Sequence, residues 1–213
     1  MSSQPQHRYT LEEYFDLDFS SEEKYEFWDG LVFCMSGASL AHNRIVMNMG
    51  VELALQLREK GCHVLPSDMR IKVPAYPPYR YPDLTALCGR PEVETMGGLE
   101  VLTNPALIIE VLSPSTEAFD RGDKFTYYQS IETFTEYLLV AQHRPHVSQF
   151  VRAEGGVWTF REFNDLSEEV SCAAVPGLLK LSEIYRDVDF EAAAAEPPDP
   201  DAPTPAHAPA DRG

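Results

Sequence analysis

Three side chains in the middle of the chain have the types and settings that phosphate chemistry needs: Asp83, Glu110 and Lys124. Asp83 lies in YPDLTALC and Glu110 in ALIIEVLSPST, two apolar runs that read as short buried strands. A carboxylate inside such a strand is costly to desolvate unless a cation pairs with it. Fourteen residues after Glu110, a helical pattern carries Lys124. Two carboxylates on adjacent strands can share a divalent metal. A lysine beside them can polarise the attacking water or stabilise charge on a pentavalent phosphorus. The carbonyl of Val111, toward the same strand edge, would add a neutral oxygen, so the metal set reads Asp83, Glu110 and Val111. A structural alternative stays open. In it Asp83 ends a loop after Pro82, Glu110 pairs with Arg44, Arg70 or Arg121, and Lys124 is a solvated helix residue.

The elements that must position these groups follow from local pattern. Thr10 with Glu13 is a capping box opening a short helix, TLEEYFDL. KYEFWDGLVFCMSG reads as two strands turning at Asp29-Gly30. Residues 39–60 form the longest helical pattern, with Ile45, Met49, Leu53 and Leu57 at helical spacing and Gly61 as its stop. CHVLPSDMRIKVP and YPDLTALC follow as strands, then a polar connection over 89–103, then ALIIEVL. Ser113, Ser115 and Thr116 are turn and N-cap residues for a helix over 117–131, on which Tyr128 shares a face with Lys124. TEYLLVAQ, HVSQFVRA and GVWTFREF are consecutive strands, and LSEIY is a closing helix. A helix crossing from ALIIEVL to TEYLLVAQ makes those two strands parallel neighbours. The strands before them are expected antiparallel, so the sheet is mixed. The expected class is α/β (α+β), with one domain over 1–190. From Glu191 the chain is alanine, proline and acid without apolar periodicity, which predicts a disordered tail over 191–213.

Composition bounds the function. The chain has 213 residues, and its 44% hydrophobic content fits a globular protein with a sizeable core. No apolar run approaches the ~20 residues that span a bilayer, and no signal-peptide pattern opens the chain, so a cytoplasmic location is expected. Cys34, Cys62, Cys88 and Cys172 show no metal-binding spacing and read as unlinked thiols in a reducing compartment. A net charge of −17 argues against a generic polyanion binder. An acidic nuclease would need a metal at the phosphate, a specific substrate, an oligomer or a partner. No GxSxG, P-loop or GxGxxG motif is present, which leaves nucleophilic-serine, NTPase and dinucleotide chemistry without support.

The PD of YPDLTALC, EVLSPST and the downstream DRGDKFTYY resemble the PD-(D/E)XK nuclease superfamily, with its restriction endonuclease-like fold. More narrowly they resemble the Uma-type family of "putative restriction endonucleases". KYEFWDGLV, AHNRIV, EYLLV and LSEIY extend the similarity over most of Tyr9 to Tyr185. The resemblance implies an αβββαβ core and Mg²⁺-dependent cleavage of DNA, with Mn²⁺ as a substitute ion. The superfamily pattern places a lysine two residues after the strand glutamate, where this chain has Leu112. In the Uma-type family that lysine has moved to the following helix, which fits Lys124. The resemblance also adds Glu26 and His42 as catalytic-site residues. A homodimer is expected by analogy, because cutting two strands needs two sites. Two other readings remain open: a catalytically inactive oligomerisation or partner-binding module on the same fold, and a metal-dependent hydrolase of a small phosphorylated substrate.

Overall fold

The computed structural model describes residues 8–28, 30–35, 37–75, 79–96, 98–113 and 117–194. In chain order the elements begin with α1 (Leu11–Ser20), the hairpin β1 (Tyr25–Trp28) and β2 (Leu31–Cys34), and the long helix α2 (Leu40–Leu57). Then come β3 (Cys62–Pro66), β4 (Arg70–Lys72), β5 (Tyr79–Arg80), β6 (Leu84–Cys88), β7 (Val93–Met96), β8 (Leu99–Leu102) and β9 (Leu107–Leu112). A helical segment over 117–128, called the site helix below, leads to β10 (Glu136–Ala141), β11 (Val147–Arg152) and β12 (Trp158–Phe163). The small hairpin β13 (Glu169–Ser171) and β14 (Leu178–Lys180) and the short helices Leu181–Ile184 and Phe190–Ala194 follow.

A six-stranded sheet in the order β12-β11-β10-β9-β6-β3 is the frame. β9 and β10 run parallel, joined by the site helix as expected, and every other pairing in this sheet is antiparallel. The sheet is therefore mixed. Successive side chains of a strand point to opposite faces, and β9 uses this to serve two cores. Leu107, Ile109 and Val111 meet Ile45, Met49, Leu53 and Leu57 of α2 on one face. Ile108 and Leu112 meet Tyr128, Ile131 and Phe134 on the other. The four α2 side chains are fully buried, and each contributes roughly 1.5–3 kcal/mol. Glu110 shares the parity of Ile108 and Leu112, so the strand aims it at the site helix.

Several boundaries differ from the sequence expectation. The connection over 89–103 is not a polar loop but the hairpin β7–β8, part of a second sheet ordered β5-β4-β8-β7. Its strands alternate weakly because β7 is mostly exposed, so no buried face wrote a pattern. CHVLPSDMRIKVP divides into β3 and β4, which belong to different sheets. β6 begins at Leu84, one residue after Asp83. Within the tail expected from Glu191, residues 191–194 are instead helical, in Phe190–Ala194, which buries Ala193; residues 195–213 lie outside the described residues. So do Ser115 and Thr116, expected as caps, and Asp29 of the expected turn, whose Gly30 holds φ 81°. Thr10 and Glu13 form the expected capping box.

The cysteine reading is corrected. Cys62 and Cys88 are joined as a disulfide, while Cys172 is a buried thiol. The antiparallel register of β3 on β6 places these two residues directly opposite each other. Nothing in their separation of 26 residues announces that pairing. Among the described residues no helix is long and apolar enough to cross a membrane.

Candidate active site

The site forms where β6, β9, the site helix and the start of α2 meet. Asp83 stands at the entry to β6 and accepts the Val111 amide of β9 through Oδ2 at 2.7 Å. Its other oxygen, Oδ1, lies 3.2 Å from His42 Nε2. His42 is placed by the N-terminus of α2, where Ser39 caps the helix by accepting the His42 amide. Ser39 in turn donates to Gln142, whose amide donates to the Leu112 carbonyl at 2.9 Å. Gln142 thus ties the helix start to the end of β9 and holds His42 against Asp83. The sequence reading did not include it, and no motif marks it.

Opposite, Glu110 Oε1 receives Lys124 Nζ at 2.9 Å and the Tyr128 hydroxyl at 2.8 Å. Lys124 also meets Asp120 Oδ1 at 3.3 Å. The site helix makes this possible. It opens as Glu117–Phe119, passes through a π-helical turn at Asp120–Lys124 and ends as Phe125–Tyr128. A π-turn is rare and recurs at functional positions. Here residues 120, 124 and 128 all present buried side chains to the sheet. Asp120 escaped the sequence reading, although its spacing of four residues from Lys124 is the available signal. The open alternative that paired Glu110 with Arg44, Arg70 or Arg121 does not hold. Arg44 donates to the Asp187 carbonyl, Arg70 to Asp18, and Arg121 to Glu117 and Ser148.

Glu26 of β1 completes the acidic set. It is buried and accepts the Tyr81 amide through Oε1 at 2.9 Å, two residues before Asp83. Val111 supplies its amide to Asp83 while its side chain packs in the core against α2. The structure thus brings together Asp83, Glu110, Lys124, His42 and Glu26. Among the described residues no set of three or more His, Cys, Asp or Glu side chains is arranged to hold a metal ion by itself.

The electrostatics are unbalanced toward the acid side. Burial pushes the Glu110 carboxyl well above its ordinary value. Lys124 opposes that rise, and the charges of Asp83 and Asp120 reinforce it. Burial works to discharge Lys124, but Glu110, Asp120 and Glu26 outweigh it and hold the ammonium well above its usual range. Lys124 therefore stays charged, and a charged lysine cannot act as a general base. Glu110 binds a proton readily because it is buried and because the charges of Asp83 and Asp120 add to the cost of ionising it. A further cation would take that proton's place. The cluster is also graded in access. The Glu110 and Lys124 side chains are 5% and 7% exposed, against 18% and 16% for Asp83 and His42. The open side is therefore at Asp83 and His42.

The fold is α+β, a mixed sheet with helices on both faces. A crystal structure described as "a putative nuclease belonging to DUF820", from Anabaena variabilis, superposes with a TM-score of 0.66 at 14% identity, covering 83% of this chain and 97% of that one. Residues 11–183 match the Uma2 family, described as "Putative restriction endonuclease", and the chain belongs to that family. Two uncharacterized proteins of Synechocystis sp. are similar. One, sll1609, is 32% identical over 161 residues, 76% of this chain and 90% of its own length. The other, slr1290, is 28% identical over 188 residues, 88% of this chain and 97% of its own length.

Proposed function

We propose that this protein is a Mg²⁺-dependent endonuclease that hydrolyses DNA phosphodiester bonds. The observation that carries the reading is that Asp83, at the entry to β6, and Glu110, in the neighbouring β9, lie close enough for the Asp83 charge to act on Glu110, which the Lys124 ammonium meets at 2.9 Å. The donor set suits Mg²⁺, with Mn²⁺ as substitute. Mg²⁺ uses one or two carboxylates and fills its remaining positions with waters and substrate phosphate. Asp83 and Glu110 would hold the ion, with the Val111 carbonyl as a neutral third oxygen. Bound there, the ion supplies charge neutralisation at the phosphate and a nucleophilic water near neutral pH.

The chain's own groups then divide the remaining work. Lys124, held charged and 2.9 Å from Glu110, stabilises negative charge growing on the phosphoryl oxygens. His42 aligns Asp83 and stands on the open side, where a phosphate arrives. Glu26 fixes the backbone leading to Asp83 and adds to the field that keeps Lys124 charged. With a net charge of −17 the protein gains little from general attraction to DNA. Affinity then comes from the metal–phosphate contact and from a defined substrate.

The test is cleavage of supercoiled plasmid with Mg²⁺, compared with single-stranded DNA, RNA and small phosphodiesters. Nicking should require the ion and vanish in Asp83→Ala and Glu110→Ala. Lys124→Ala should keep metal binding and slow cleavage by about 10²–10³-fold. If both acid variants cut as well as the parent, the assignment is wrong. A folded protein that binds neither Mg²⁺ nor Mn²⁺ by calorimetry is instead a non-enzymatic module. Turnover of small phosphodiesters alone identifies a small-substrate hydrolase.

A further inference from the structure

Helix α2 is apolar on two opposite faces. Its inner face, Ala41, Ile45, Met49, Leu53 and Leu57, repeats every four residues and is buried against the sheet. Its outer face reads Leu40, Arg44, Met47, Val51, Ala54, Arg58, all exposed. Those positions are separated by alternating steps of four and three residues, the 3.5-residue repeat of a helix that packs against another helix. Leu55 widens the stripe. Leu40, Met47, Val51 and Leu55 are 68%, 65%, 41% and 59% exposed. One apolar face of a helix is covered by its own core; a second one, left exposed, is a contiguous apolar patch of the kind that marks an association surface.

We infer that two copies of this chain associate through the outer face of α2, antiparallel about a two-fold axis near Met47 and Val51. This does not rest on the nuclease reading. Charge selects the occupant. In a chain of net charge −17, the exposed positions of α2 from Leu40 to Arg58 carry no acid, and the helix's one acid, Glu52, is half-buried on its flank. That stripe is where two such chains approach with little repulsion. The two ends of α2 are also complementary. At the N-terminal end Leu40 and Arg44 line an apolar pocket together with Ala192, Ala193 and Asp189, with Glu191 on the same short helix. At the C-terminal end stands the exposed Arg58. An antiparallel pairing sets Met47 against Val51 of the partner subunit and brings Arg58 of the partner subunit to the Leu40–Asp189 end. A two-fold interface must match itself in this way.

The experiment is sedimentation equilibrium of the full chain, with Met47→Glu/Val51→Glu and, separately, Arg58→Glu. The parent should run at about twice the 24.0 kDa of one chain. The double variant should weaken the dimer by at least about 100-fold, and Arg58→Glu by about tenfold, both with unchanged circular dichroism. A parent that is monomeric at high concentration overturns the inference. So does a double variant as dimeric as the parent. Should the double variant fail to fold, Arg58→Glu decides alone: undiminished dimerisation refutes the pairing. Deleting residues 195–213 should leave the dimer intact; its loss would show that the tail makes the interface. Plasmid cleavage is read separately, so failure here and failure of the nuclease reading are distinguishable.

Discussion

Two regions of the molecule bury an acid beside a base, and they do so to opposite ends. Under α1, Asp18 is 5% exposed and takes Arg70 at 3.2 Å, the Tyr79 hydroxyl at 2.5 Å and the Tyr25 amide at 3.2 Å. Tyr81 adds a weaker contact at 3.4 Å, and the Arg70 guanidinium lies 5.0 Å from both the Tyr79 and Tyr81 ring centres. One carboxylate there is matched by one cation and several donors. In the candidate active site Glu110, Asp120 and Glu26 all act on the one ammonium of Lys124, with Asp83 beside Glu110. The first arrangement is closed in charge. The second gathers several carboxylates about the Lys124 ammonium, with the buried Arg80 guanidinium acting on Tyr128 beside them, and its Asp83 and His42 are more exposed than Glu110 and Lys124. Surplus acid, rather than burial alone, separates a prospective cation site from a buried structural pair.

Removing the base from each region should break this comparison most visibly. Arg70→Met and Lys124→Met each strand a buried carboxylate, and each should cost about 3–5 kcal/mol of stability. The two should then part company. Saturating Mg²⁺ should restore part of the loss in Lys124→Met, by about 2–3 kcal/mol at a hundredfold excess over the dissociation constant. It should do nothing for Arg70→Met. Chemical denaturation with and without the ion measures both. Equal rescue, or none in either variant, would mean that the surplus acid at Lys124 does not attract a divalent cation.

The same distinction governs what could be read in advance. The strands that make the frame were legible because they are buried on both faces: Leu107–Leu112 and Glu136–Ala141 are continuous apolar runs, and the helix between them forces their parallel pairing. Glu110 stood out because charge is conspicuous in an apolar run, whereas Lys124, in the charged stretch DRGDKF, was legible only through the family resemblance. β7 and β8 were missed because exposed edge strands have no core face to imprint alternation. Asp120 was missed because the π-turn that turns it inward is a backbone irregularity without a residue signature, although DRGDK held the right spacing. Gln142 and the Cys62–Cys88 bond depend on register between strands distant in sequence, which local pattern does not encode. The Asp18–Arg70 pair was invisible for the same reason, with 52 residues between its partners.

A smaller effect comes from pH and sharpens the comparison on the Glu110 side. The Glu110 pKa is raised in the folded state, so the native protein holds a proton that the unfolded chain has already released. Its contribution to stability is complete below the ordinary carboxylate pKa and is lost as pH rises through the raised value. Metal-free protein should therefore lose stability as pH rises above the ordinary carboxylate range. Glu136 is shifted in the same direction and adds to that slope. The difference between parent and Glu110→Gln isolates Glu110, because glutamine cannot titrate. The melting temperature of the variant should depend less steeply on pH. Mg²⁺ should flatten the parent's slope by displacing the proton. A parent and variant of identical slope would show that Glu110 is ionised throughout and that its acid neighbours do not press on it.

The smallest expected change comes from a single hydroxyl. Tyr128 donates to Glu110 at 2.8 Å, and Tyr79 donates to Asp18 at 2.5 Å, so Tyr128→Phe and Tyr79→Phe delete equivalent bonds in the two regions. Each should cost about 1.5–3 kcal/mol, the net value of a hydrogen bond to a charged group. The consequences beyond stability should differ. A hydroxyl bonded to a carboxylate favours the ionised form. Without it Glu110 holds its proton more tightly, and the pH at which Mg²⁺ binds by calorimetry should rise by up to about one unit. Tyr79→Phe should leave that pH unchanged, since Asp18 belongs to the network around Arg70. Equal shifts in the two variants would mean that the regions are electrostatically one, and that the closed pair under α1 contributes to the field at Lys124.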